Sequence, residues 1–332
     1  MKYLFCLFLI LPSCNLFAQT KSLINDTLIN VHDPVIIRQD STYYIFCTGQ
    51  GITAFSSPDM KHWKQLKPVF DKAPQWAVDA IPSFKGHIWA PDISYHSGQF
   101  YLYYAVSAFG KNTSCIGLAT NKTLDPSAKN FKWIDHGKVI QSVPGRDMWN
   151  AIDPNLILDE NKTPWLAFES FWNGMKLVKL DSTLTAVAQP EEWYTVASRK
   201  RDFILPDSVA GDAAIEAPFI YQHAKYFYLF VSFDYCCRGE KSTYKMMVGR
   251  SEKVTGPYAD RDGVPMNLGG GSTVLEGDKN CHGVGHNAVA NFNGTDYLIF
   301  HGYDAADNGR SKLRIEKIGW FNDWPVVERK PR

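Results

Sequence analysis

Nowhere in the 332 residues do Lys and Arg cluster densely, and the formal net charge is only +1. That balance argues against a nucleic-acid partner. No apolar run is long enough to span a bilayer as a helix, so no transmembrane span is expected. Sustained helical periodicity is missing, and no linker rich in Pro, Gly or Ser divides the chain, which points to one domain. Cysteine is scarce. Of seven, Cys6 and Cys14 fall in a leader-like segment, leaving Cys47, Cys115, Cys236, Cys237 and Cys281. An odd number cannot form a complete disulfide framework, and no pair has the spacing of zinc ligands. Cys47 and Cys115 sit in strand-like runs as small core residues, while adjacent Cys236 and Cys237 leave a vicinal disulfide and free thiols equally open. There is no convincing Ser-His-Asp grouping, and no Gly-rich phosphate loop follows a strand.

What the chain does have is aromatic residues, 14% of the total, and a repeat. Residues 1–19 read as a signal peptide: Lys2 supplies the positive end, Tyr3 to Leu11 the apolar run and Ala18 a small cleavage residue. Leu11-Pro12-Ser13-Cys14 partly resembles a bacterial lipoprotein site, although Pro is atypical there; on either reading the mature protein, 20–332, is exported. An aromatic-rich, nearly neutral exported protein suits an uncharged, ring-shaped ligand.

The repeat begins with Asp33-Pro34-Val35-Ile36-Ile37 before Tyr43-Tyr44-Ile45-Phe46. It returns as Ala90-Pro91-Asp92-Ile93, Asp153-Pro154-Asn155-Leu156-Ile157, Glu216-Ala217-Pro218-Phe219 and, in degenerate form, His286-Asn287-Ala288-Val289, each followed by an aromatic-rich strand. Taking Pro34, Pro91, Pro154, Pro218 and Asn287 as equivalent, the spacings are 57, 63, 64 and 69 residues. Proline at a strand's first position marks where that strand begins. A second strand pair follows in each copy, for example Ile116–Thr120 with Lys132–Ile134. In the fourth copy Tyr244–Ser251 leads to a turn at Thr255-Gly256-Pro257-Tyr258. Four short strands per unit of about 60 residues make a propeller blade. The expected fold is all-β, a five-bladed β-propeller.

In a propeller the innermost strands converge on one mouth, so the repeat states which residues meet there: Asp33, Trp89 with Ala90, Asp153, Glu216 and His286. Asp-Pro alone is ordinary turn chemistry. Three acids at equivalent positions are not, because their repulsion would be uncompensated. Glu216 stands one position out of phase, which strand alternation would turn to the other face unless the strand start is loop-like. Paired carboxylates beside an aromatic platform fit glycoside hydrolysis, one acid protonating the leaving oxygen and another activating water. A third tunes its neighbours. His286 is a candidate to help hold a cation with water.

These residues carry a resemblance. Val31-His32-Asp33-Pro34, His87-Ile88-Trp89-Ala90-Pro91-Asp92, Asn150-Ala151-Ile152-Asp153-Pro154 and Ile215-Glu216-Ala217-Pro218 together resemble glycoside hydrolase family 43 over essentially all the mature chain. Ser170-Phe171-Trp172, Gly285-His286-Asn287 and the run from Cys236-Cys237-Arg238-Gly239 to Val248-Gly249-Arg250-Ser251 narrow it toward the arabinanases. The resemblance implies a five-bladed propeller and an inverting hydrolase of α-1,5-linked L-arabinan or arabino-oligosaccharides; endo action and a monomer are the expectations, with the mode set by loops that leave the cleft open or close one end. It implies Asp33 as general base, Asp153 as modulator and orienter, and Glu216 as general acid. His32, Trp89, Phe109, Asn150 and Ser170 would contact sugar, and His286 would bind a central calcium through waters. Val284 replaces a glycine of the related metal loop. The alternatives are an exo-acting arabinosidase or xylosidase, or a non-catalytic sugar-binding propeller, which would need the aromatics but not three acids at the hub.

Overall fold

The computed structural model describes residues 28–327; the expected signal peptide lies outside them. Five antiparallel sheets follow one another along the chain. Blade one comprises Val35–Gln39, Thr42–Cys47, Thr53–Ser57 and Lys64–Gln65. Blade two comprises His87–His96, Gln99–Val106, Ser114–Asn121 and Ile134–Ser142, with the two-residue strand Gly49–Gln50 added at its inner edge. Blade three has Asn155–Leu158, Pro164–Phe168, Met175–Lys179 and Trp193–Ala197, and blade four has Ile215–His223, Tyr226–Phe233, Lys245–Ser251 and Ser272–Glu276. Blade five has Cys281–Phe292, Thr295–Asp304, Arg310–Phe321 and Trp324–Val327. The one α-helix among the described residues is Gln75–Ala80, and none there is long and apolar enough to cross a membrane. The five-bladed β-propeller is as expected.

The second strand of each blade is apolar on both faces because a neighbouring blade covers each. Tyr226–Phe233 is almost wholly buried. Apolar packing lies between blades. Tyr103, Ile116 and Leu118 meet Leu156, Leu166 and Phe168 between blades two and three. Tyr228 and Phe230 meet Leu298 and Phe300 between four and five. Each blade thus buries its faces against its neighbours, the logic of a repeat protein bent into a ring. Residues 29–31 close that ring on blade five, through Val31 N–H to Ser311 O at 3.3 Å and Leu313 N–H to Ile29 O at 2.9 Å.

The hub strands differ from expectation in an informative way. Ala90-Pro91 and Ala217-Pro218 do not begin their strands; they lie inside them, at irregularities between Trp89 and Asp92 and between Glu216 and Phe219. The residue before each equivalent position is left-handed in all five blades: Asp33 at φ 52°, Ala90 at 41°, Asp153 at 57°, Ala217 at 56° and His286 at 50°. A non-glycine residue there costs about 1–2 kcal/mol. Proline next in the chain has no N–H to lose from the interrupted ladder, which reconciles Pro91 and Pro218 with strand interiors, while Pro34 and Pro154 directly precede their strands as expected. The kink also removes the objection to Glu216, since simple alternation no longer governs where it points. Two outer strands fall later than expected: blade two closes with Ile134–Ser142, and blade four with Ser272–Glu276, because Val254 and Tyr258 are taken into the interface with blade three.

Four kinked residues donate their backbone N–H to a side chain of the preceding blade. Ala90 N–H reaches Thr48 Oγ1 at 2.8 Å, Ala217 reaches Asp153 Oδ2 at 3.1 Å and His286 reaches Ser232 Oγ at 2.8 Å. Asp33 reaches His301 Nδ1 at 3.1 Å across the ring closure. Ser232 is fully buried. Ser232→Ala should therefore strand the His286 amide and lower unfolding free energy by about 1–3 kcal/mol, read from denaturant melts; an unchanged midpoint would show that this stitch contributes nothing.

Candidate active site

All nine residues expected at the site (His32, Asp33, Trp89, Phe109, Asn150, Asp153, Ser170, Glu216 and His286) line one cleft of about 770 Å³ at the hub. Every blade contributes.

Asp33 is the most heavily hydrogen-bonded of the three acids. Thr48 donates its hydroxyl to Oδ2 at 2.5 Å, while Oδ1 faces His32 Nδ1 at 2.7 Å and His286 Nδ1 at 3.0 Å. Burial opposes its charge, but His286 and His32 outweigh burial and hold the carboxyl well below its ordinary range. The surroundings of Asp33 therefore favour its anionic form. Asp153 has the opposite environment. Burial, opposed by His286 and reinforced by Glu216 and Asp33, pushes it up to about 8. Glu216 is held by two hydroxyls, Ser170 donating to Oε2 at 2.6 Å and Tyr244 to Oε1. His286 is driven down by burial and up by Asp33, Asp153 and Glu216, reaching about 9. An anionic acceptor and a proton-sharing carboxyl region thus share one cleft.

The residues expected to contact sugar fall into two kinds. Trp89 is partly exposed with its Nε1–H on His87 Nδ1 at 3.1 Å, and Phe109 is 82% exposed. Both offer the cleft an aromatic surface of the sort on which sugar rings stack. Asn150 and Ser170 are nearly buried. Asn150 accepts the Ser114 hydroxyl at 2.5 Å and donates its backbone N–H to Glu169 Oε2 at 2.8 Å. Burial pushes the Glu169 carboxyl well above its usual range.

A model of the glycosyl hydrolases of family 43 matches residues 28–325. The chain belongs to glycoside hydrolase family 43. An extracellular exo-α-(1→5)-L-arabinofuranosidase of Cellvibrio japonicus is 51% identical over 303 residues, covering 91% of this chain and 87% of the relative. An extracellular endo-α-(1→5)-L-arabinanase of Bacillus subtilis is 40% identical, covering 89% and 87%. Among solved structures, a Cellvibrio cellulosa α-L-arabinanase complexed with arabinohexaose matches with a TM-score of 0.89 at 50% identity, over 91% of this chain and 96% of that one.

Within this family 43 site, several contacts were not found from sequence: Thr48 and His301 around Asp33, Tyr244 on Glu216, and Tyr303 behind His32. A signal for some of them existed. Thr48, Ser170, Ser232 and His301 all stand where an apolar second strand reaches the hub, so polar residues recurring there mark groups aimed at the axis. Tyr244 and Tyr303 carry no such mark in an aromatic-rich chain. The open question over Cys236 and Cys237 is resolved: they form a vicinal disulfide on the cleft wall, while Cys47, Cys115 and Cys281 are buried free thiols.

The two raised groups make a prediction about stability. Asp153 and His286 keep protons in the fold above their ordinary values of 3.8 and 6.5. Between about pH 8 and 9, where the buried and depressed His301 is neutral in folded and unfolded chain alike, these two groups make the native state bind more protons than the unfolded chain, so stability falls as pH rises, the His286 contribution disappearing through about 9. In excess chelator the thermal midpoint should decline across that window; a midpoint that climbs would show the hub protons are not held.

Proposed function

We propose that this protein hydrolyses α-1,5-linked L-arabinan and arabino-oligosaccharides with inversion, Asp33 acting as general base and Glu216 as general acid. The observation that carries this reading is the convergence of three acids from three blades on one aromatic-walled cleft. Asp33, held anionic, takes a proton from water as the water oxygen bonds to the anomeric carbon. Glu216 gives a proton to the glycosidic oxygen as that bond breaks on the opposite face. Asp153, tied to Ala217 N–H beside Glu216, stores and shares the proton that Glu216 must regain. Trp89 and Phe109 support ring faces, and Asn150 and Ser170 sit within reach of hydroxyls. Endo action is supported by the name of the Bacillus relative. A second reading, exo action, is supported by the name of the more similar Cellvibrio protein. Export is supported by the names of both relatives as extracellular, and the enzyme is taken to act as a monomer.

The roles separate experimentally. Glu216→Ala should lose roughly two to four orders of magnitude on arabinan but far less on an aryl arabinoside with an acidic phenol, which leaves without a proton. Asp33→Ala should be crippled on both, because water must be activated whatever leaves. Asp153→Asn should fall between. The reverse leaving-group pattern in Asp33→Ala and Glu216→Ala would exchange the two assignments. Chromatography of early products from debranched arabinan distinguishes the modes: a ladder of oligosaccharides for endo action, arabinose or one short product for exo. Activity on xylan fragments with none on arabinan would overturn the substrate.

Calcium at the hub is part of the same proposal. Beside His286, both polar atoms of the buried Asn287 amide lack a hydrogen-bond partner among the described residues, and an amide oxygen is the hard donor calcium prefers. The residues fit an ion held by His286 and completed by water, provided His286 gives up the proton that the acids hold on it. Bound there, the ion would supply the positive charge that balances the three carboxylates. Excess chelator should lower the thermal midpoint and calcium restore it; identical melts and rates, with no metal found by elemental analysis, would leave His286 as a protonated counter-ion.

A further inference from the structure

His32 stands between the base and a part of the molecule that the mechanism does not use. Its ring stacks on His301 with centroids 3.9 Å apart, and both nitrogens are engaged. Nδ1 lies 2.7 Å from Asp33 Oδ1, and Nε2 lies 2.9 Å from the Tyr303 hydroxyl. Tyr303 is 4% exposed, and burial keeps its phenol protonated. The same phenol oxygen accepts the Cys237 N–H at 2.7 Å, with the Ser242 hydroxyl also against it. Cys237 is disulfide-bonded to Cys236, at the cleft wall.

The proton count follows from donor chemistry. An amide N–H can only donate, so the Tyr303 oxygen accepts it, and the single phenolic proton has two acceptors in reach, His32 Nε2 and the Ser242 hydroxyl oxygen. A ring nitrogen that accepts carries no proton. Given to Nε2, that proton leaves the His32 proton on Nδ1, where it donates to Asp33 Oδ1. Donated to Ser242 instead, it would leave the phenol oxygen accepting from His32 Nε2–H, and His32 would carry both protons as an imidazolium.

We propose that Tyr303 and the Cys236–Cys237 disulfide are positioning elements for Asp33: the disulfide fixes the Cys237 amide, the amide orients the phenol, and the phenol sets the His32 tautomer that aims the carboxylate. The catalytic consequence rests on Asp33 being the general base, whereas the tautomer does not, so the two fail separately. The chain acts on the orientation of the base, so it should appear in kcat and leave KM within about threefold.

The test is histidine side-chain 15N NMR on the full enzyme, with the His32 resonance assigned by its loss in His32→Gln. Wild type should show Nδ1 protonated and Nε2 bare. Tyr303→Phe should show averaged or exchanged nitrogens and a kcat lower by roughly 10- to 100-fold, the scale of losing an outer hydrogen-bond partner and smaller than the loss of the acid–base group itself. Cys236→Ala/Cys237→Ala should fall in the same direction, and a dithiol reductant should bring wild type to its rate while leaving the double variant unchanged. A wild-type His32 protonated on Nε2, or on both nitrogens, overturns the proposal whether or not the variants fold. So does a folded Tyr303→Phe with wild-type tautomer and kcat. A fully active double variant removes the disulfide from the chain. A pinned tautomer with an Asp33→Ala enzyme that still activates water would instead overturn the catalytic reading alone.

Discussion

The hub depends on what happens to a backbone N–H when a strand is bent into the left-handed region. At each kink the ladder is interrupted, and a buried donor without a partner costs about 1–3 kcal/mol. Four of the five donors are met by a side chain from the preceding blade: Thr48, Asp153, Ser232 and His301. These bonds run in one rotational sense, so each blade's inner strand is registered against its neighbour as well as packed against it. Three of the four acceptors also belong to the site. Thr48 donates to Asp33, Asp153 is one of the acids, and His301 carries the ring of His32 on its face. The bonds that stitch the propeller are therefore the bonds that arrange its chemistry.

Chemically alike groups acquire different roles there because their surroundings differ. Asp33 and Asp153 are both buried aspartates at equivalent kinks, and burial alone would raise both. Asp33 meets Thr48, His32 and His286, and two imidazoles overcome desolvation. Asp153 receives the Ala217 amide and feels Glu216 and Asp33 as like charges, so desolvation prevails. Environments that push like groups apart are how one fold supplies acid and base at a single pH. His286 sits among all three acids, and whichever positive charge it presents, a proton or a coordinated ion, determines how far that separation extends.

Much of this was legible in the sequence. Five copies of a proline-marked strand followed by an aromatic strand gave the blade count, and the residue before each copy gave Asp33, Asp153 and His286. Glu216 was legible as a residue but not as a direction, because period-two alternation holds for a regular strand and Ala217 is not in one. The outer strands of blades two and four were misplaced for a related reason: edge strands half in solvent lack the continuous apolar signal of inner ones. Tyr244 and Tyr303 stayed hidden because buried tyrosines are common in this chain, and only three-dimensional proximity separates one that packs from one that holds a carboxylate or a histidine. The cysteine pair shows the same limit. Adjacency permitted a disulfide or two thiols, and the fold alone put the pair beside His32.

Ring closure bears most directly on Asp33, the proposed base. Residues 29–31 run along blade five, bonded to Ser311 and Leu313, and the next two residues are His32 and Asp33. The segment that seals the propeller thus continues straight into Asp33. Asp33 then receives its backbone partner, His301, from the blade just closed upon, and His32 its phenol, Tyr303, from the same strand. A propeller open between blades one and five would retain Asp153 and Glu216 on neighbouring blades but would lose every contact that blade five makes to the base, including the His286 imidazole. Closing the ring and arming Asp33 are, in this architecture, the same set of contacts.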